Sequence, residues 1–201
     1  MQDFLFYLNL GWEHIISLDA LDHQLFILAL VAVYAFKDWK KVLILVTAFT
    51  IGHSITLALS VLEVFKISSD WVEFLIPLTI VITALDNIIF KGNQSKLMRI
   101  NYFLALFFGL IHGMGFANTA RMMLAKEQSL FVPLLGFNLG LELGQIVVVL
   151  AFLVALFIFS NLFKVARKDW IMFVSSAVFA LALKMTIERI PFEIGNIFNF
   201  M

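Results

Sequence analysis

The chain has 201 residues, 62% of them hydrophobic, with 14 basic and 14 acidic side chains and a mean hydropathy of +1.00. A soluble domain is about 45–50% apolar, so the excess here has no home in a water-soluble core and places the chain in a membrane. Zero net charge without a basic tract argues against nucleic acid, and the absence of Cys excludes disulfides, thiolate metal sites and thiol nucleophiles.

Residues 1–19 carry Asp3, Glu13 and Asp19 and no Lys or Arg. They lack the basic start and small-residue cleavage site of a signal peptide and read as an outer-side interfacial segment. Six apolar stretches follow, set against the ~20 residues that a bilayer core requires: about 20–36, which is short, 41–65, 71–90, 97–124, 131–163, which is long, and 170–190. The expected fold is therefore all-α, a single polytopic membrane bundle of about six transmembrane helices. The connections, "KDWKK", "KISSD", "KGNQSKLMR", "KEQS" and "KVARKDW", are too short for a second domain.

Basic residues orient the bundle. Lys37, Lys40, Lys41, Lys91, Lys96, Arg99, Lys164, Arg167 and Lys168 fall on one side, and Lys66, Arg121, Lys126 and Arg189 on the other. Cytoplasmic loops hold the excess, so both termini are expected outside the cytoplasm, in the cell (inner) membrane. Trp39, Trp71 and Trp170, at helix ends, read as interfacial aromatics.

Ionisable groups inside a membrane are costly, and each is a functional-site hypothesis. Asp22 and His23 open the first span. His53 lies mid-span in the second, His112 near the middle of the fourth, and Glu142 about eleven residues into the fifth. Imidazole and carboxylate on four helices suit a borderline divalent ion. At about 100° per residue, Asn138, Glu142 and Gln145 share one face of the fifth span. Gly136, Gly140 and Gly144 occupy the opposite face, a spacing that permits close helix approach. Ala105, Gly109, His112 and Gly113 share a face of the fourth span, leaving room for something to reach the imidazole. His14, Ser54, Glu73, Asp86, Asn87, Asn138 and Gln145 are expected to orient those ligands or to line the path to them. Each has a plainer reading: His14 as a surface residue, Glu73 as interfacial, Asp86 as a partner of Lys91, the histidines as interhelical hydrogen-bond partners. Lys184 is expected to snorkel and pair with Glu188.

Four blocks, "FTIGHSITLAL", "VEFLIPLTIVITALDN", "GLIHGMGFA" and "FNLGLELGQ", together resemble the HupE/UreJ membrane proteins, and more closely the second branch of that family. The resemblance spans about residues 20–150 and implies six membrane helices. It also implies a role in nickel or cobalt uptake for hydrogenase or urease maturation. Nickel permeases of the first branch carry a His shortly before an Asp-His pair. Asp22 and His23 match the pair, and His14 stands upstream at H-x7-DH rather than H-x5-DH. Of that branch's two later His-Gly pairs, His112-Gly113 supplies one, and Gly115-Phe116 stands where the second would fall.

The leading functional expectation is a divalent-metal permease, with nickel, cobalt or zinc as substrate or ligand held by His23, His53, His112, Glu142 and Asp22. Its expected surroundings are the lipid bilayer and the metal ion, with homo-oligomerisation left open. The sequence carries no G-x-x-x-x-G-K-[ST], so no nucleotide is expected. The alternatives are an intramembrane metal-dependent hydrolase, with Glu142 activating water, and a non-catalytic scaffold subunit. Against the hydrolase, neither H-E-x-x-H nor G-x-S-x-G occurs.

Overall fold

The computed structural model describes residues 2–64, 68–90, 94–116, 119 and 130–191, with backbone only at residues 2 and 94–100. Lys66, Lys91, Arg121, Lys126, the side chains of Lys96 and Arg99, and the end of the expected span 97–124 lie outside the described residues.

Among the described residues, seven α-helices form the bundle: α1 (Gln2–Ile16), α2 (Leu21–Val31), α3 (Trp39–Val61), α4 (Ser69–Phe90), α5 (Gln94–Gly115), α6 (Phe131–Asn161) and α7 (Arg167–Glu188). Four of them, α3, α4, α6 and α7, are long and apolar enough to cross a membrane. A chain this apolar forms helices because, without water, each backbone N–H must find its carbonyl inside the same segment. Pro133 sits in the first turn of α6, where a missing N–H costs nothing. The helix ends are closed locally. Glu63 and Lys164 adopt left-handed backbone angles just past α3 and α6. There the Val64 and Val165 amides reach back to the Leu59 and Phe159 carbonyls.

The N-terminal third departs from expectation. The stretch 20–36 forms a helix of only eleven residues, about 16 Å long. Residues 2–16, expected to be interfacial, form a helix packed along α6. The two are joined through a short 3-10 turn at Leu18–Ala20 and bent by 58°. As one broken span they bring the number of candidate crossings among the described residues to five. Gln24 holds this break. Its Nε2 donates to the carbonyls of Ile15, Ile16 and Ser17 at 3.0, 3.3 and 2.9 Å, acting as a cap for α1 from within α2.

Two seams organise the packing. In the first, Gly136 faces Phe4 and Tyr7, Gly140 faces Leu8 and Trp12, and Gly144 faces Ile15, so α1 and α6 run parallel. Gly11 answers from the other side against Phe137 and Leu141. The glycine face of the fifth span thus has α1 as its partner. In the second seam Gly109 lies on Phe49, Gly52 on Leu106, and Gly113 on the His53 carbonyl, so α3 and α5 are also parallel. The space expected beside His112 is therefore filled by the backbone of α3. Both seams let main chains touch, the role small residues take where lipid offers no hydrophobic drive to association. Elsewhere α4 packs on α7 and on α2.

Smaller expectations resolve as follows. Lys184 Nζ lies 3.6 Å from Glu188, with both side chains exposed. Trp39 and Trp71 are exposed at helix ends. Trp170 is not an interfacial anchor: it is buried between Phe152 and Phe159, with ring centroids at 5.4 and 5.3 Å.

Candidate metal centre

His14 ends α1, His23 begins α2, and His53 projects from the second half of α3. The break between α1 and α2 folds the first two together, with ring centroids 4.6 Å apart. His53 completes the group at 5.9 Å from His14 and 6.2 Å from His23. One ligand atom from each of the three falls within 4.8 Å of the others. His112 stands next to His23 at 5.0 Å. It is held there because Gly113 lets α5 close on the backbone of α3.

The hydrogen bonds define which nitrogens remain. His23 Nδ1 lies 2.9 Å from Asp22 Oδ1, and His112 Nδ1 lies 2.8 Å from the Phe108 carbonyl oxygen. A carbonyl accepts and a carboxylate accepts, so each Nδ1 carries the proton and each Nε2 keeps its lone pair. Asp22 also receives the His23 amide at 2.8 Å, which locks the pair. Among the described residues, five buried imidazole nitrogens find no hydrogen-bond partner: Nε2 of His14, His23 and His112, and both nitrogens of His53. An orphaned buried polar atom costs about 1–3 kcal/mol. Several such atoms converging on one point fit a borderline cation, which imidazole binds through the neutral ring. The surrounding walls are aromatic. Phe116 and Phe137 stack at 4.9 Å and both flank His14, while Phe49 packs on His53 and His112.

A cavity of about 280 Å³ leads to this point. His14, His23 and His112 line its base, and Ser17, Asp19, Glu73 and Arg189 line its rim. The rim comes from the ends of α1 and α7 and the beginning of α4, one end of the bundle. Arg189 Nη1 lies 3.8 Å from Asp22 Oδ2, so the carboxylate that orients His23 also meets a cation from α7. Nothing in the spacing of Arg189, just past α7, marks it as a neighbour of Asp22.

Other expected site residues lie elsewhere. Glu142 is outside the histidine group and accepts a hydrogen bond from Thr47 Oγ1 at 2.7 Å. Gln145, fully buried, accepts from Thr50 at 2.9 Å. Both tie α6 to α3. Ser54 and Asn138 turn onto their own helices, bonding the Thr50 and Leu134 carbonyls. Glu73 is exposed at the rim. Asp86 and Asn87 line a separate, smaller cavity toward the other end of α4. Gly136, Gly140 and Gly144 pack against α1.

The apolar helices, the broken N-terminal span and the buried imidazoles describe an integral helical membrane protein. The family model described as HupE / UreJ protein matches residues 1–189, and the chain belongs to that family. No curated protein and no solved structure matches it.

Proposed function

We propose that the protein is a permease for a divalent transition-metal ion, nickel or cobalt, and that the ion is held in transit by His14, His23 and His53 with His112 adjacent. The observation that carries this reading is the set of buried imidazole nitrogens without partners among the described residues, drawn from separate helices, with His14, His23 and His112 lining a cavity and His53 buried behind them. Imidazole is a strong ligand for nickel and cobalt, and Asp22 behind His23 fixes the ring's orientation and tautomer. The hydrolase alternative loses its base, because Glu142 is engaged with Thr47 and stands outside the imidazole group.

Two measurements test the proposal. Purified protein in proteoliposomes should take up nickel or cobalt saturably and bind it reversibly in detergent. Tightly retained metal without flux would favour an enzyme, and no binding at all would favour a scaffold. We also place the protein in the cell (inner) membrane with both termini outside the cytoplasm, from the basic asymmetry of the loops. A reporter fused after Met201 should be active outside. Activity in the cytoplasm would reverse the orientation or change the number of spans.

A further inference from the structure

Toward the opposite end of the bundle from the histidine cavity lies a second cavity of about 50 Å³, lined by Thr83, Asp86 and Asn87 of α4 and Asn101, Leu104 and Phe108 of α5, with Leu30 and Ile82 completing it. We propose that it is an exit station, where the cation leaving the histidines is met by Asp86 and by the side-chain oxygens of Thr83, Asn87 and Asn101. This inference rests on the permease reading.

The chemistry of the lining supports a cation. The hydroxyl of Thr83 donates to the Thr79 carbonyl at 2.9 Å, so its lone pairs remain. The Asn87 amide nitrogen donates to the Ala29 carbonyl at 2.7 Å, and that of Asn101 to the Tyr34 hydroxyl at 3.2 Å. With the nitrogens engaged, both amides have oxygen to offer. Asp86 is half-buried, and no described residue forms a hydrogen bond or ion pair with it. A carboxylate within a membrane helix normally finds a partner or lines a polar path. One carboxylate with neutral oxygens binds nickel or cobalt more weakly than imidazoles do, as a release site must. The volume admits several water-sized spheres, each needing about 10–15 Å³, or one partly hydrated ion.

The two cavities face each other across a plug of phenyl rings. Phe26 stacks on Phe49 at 5.0 Å and meets Phe108 edge-on at 5.6 Å. Phe26 and Phe49 both pack on His112, at 5.4 and 5.1 Å. On α5, His112 lines the first cavity and Phe108, one turn back, lines the second. The hydrogen bond from His112 Nδ1 to the Phe108 carbonyl links them directly. The phenyl rings thus separate the histidine cavity from Asp86 in this structure.

The test uses the full-length protein in proteoliposomes and exploits its lack of cysteine. Asp86→Asn should slow nickel uptake by at least about tenfold, the scale expected when a metal-site group is removed. Equilibrium nickel binding in detergent should stay near the wild-type value, and Asp86→Glu should restore uptake. Thr83→Cys and Asn101→Cys should react with a membrane-impermeant thiol reagent only from the face where α4 ends, and Ser17→Cys only from the opposite face. Wild-type uptake in Asp86→Asn, or binding lost in proportion to uptake, would overturn the exit station. So would labelling of Thr83→Cys and Asn101→Cys from the histidine side. If the wild-type protein moves no nickel or cobalt while the cysteines still label as expected, the permease reading fails and the station falls with it.

Discussion

His53→Ala should abolish measurable nickel binding while leaving the bundle folded. The ring is fully buried, and neither nitrogen has a hydrogen-bond partner among the described residues. Removing it therefore orphans no other polar group, and the usual penalty for breaking a buried hydrogen bond does not arise. What is lost is packing, against Phe49, Phe137 and His14 at ring separations of 6.2, 6.1 and 5.9 Å. Truncating a buried side chain costs about 2–5 kcal/mol for large aliphatic residues, and a ring that leaves two desolvated nitrogens behind should fall at or below the low end. Against that, loss of one of three converging imidazoles should weaken the ion by well over the roughly 10–100-fold seen for outer-shell partners. Calorimetric titration with nickel beside a thermal melt separates the two effects. Intact binding with a lowered melting temperature would make His53 a packing residue and remove the main support for the metal site.

The second large effect is expected at Gly140. A Cβ there would fall on the Leu8 carbonyl oxygen, with the Leu8 carbonyl carbon 2.8 Å and the Trp12 amide nitrogen 2.9 Å away. These are main-chain atoms, so no side chain can turn aside to make room. Even Gly140→Ala must push α1 off α6. Gly140→Leu should cost at least the roughly 1–3 kcal/mol of an overpacked core, and more where the two helices separate. It should also weaken metal binding, although Gly140 touches no histidine, because His14 travels with α1. Leu139→Ala, one residue away and 41% exposed, is the control that should change neither. Unchanged melting and binding for Gly140→Leu would mean that this face meets lipid.

Much of the bundle was legible because hydropathy dominates every choice in this chain. α3, α4, α6 and α7 stand within a few residues of the apolar stretches that predict them, and His53 and His112 are as deep as their positions imply. The helical wheel yields faces but not neighbours. It groups Glu142 with Gln145 correctly, yet their partners Thr47 and Thr50 lie 95 positions away, on a helix that only the tertiary packing selects. The glycines mislead in the same way. Gly109 and Gly113 look like empty space beside an imidazole until the α3 backbone occupies it. His14 was the hardest to place. Its role depends on a break at Ser17–Ala20 that carries neither Gly nor Pro, and on Gln24, an unremarkable amide whose three bonds to the end of α1 hold the turn.

Under the permease proposal, that break makes ion affinity and backbone shape a single quantity. Nine positions separate His14 from His23. In an uninterrupted helix, at about 1.5 Å and 100° per residue, the two rings would point to opposite faces roughly 14 Å apart along the axis. Bent by 58°, they stand 4.6 Å apart. An ion that bridges them acts as a reversible cross-link across the bend and stiffens it. By linkage, whatever loosens the bend, a neighbour that draws Gln24 away or a lipid that parts α1 from α6, releases the ion by the same factor.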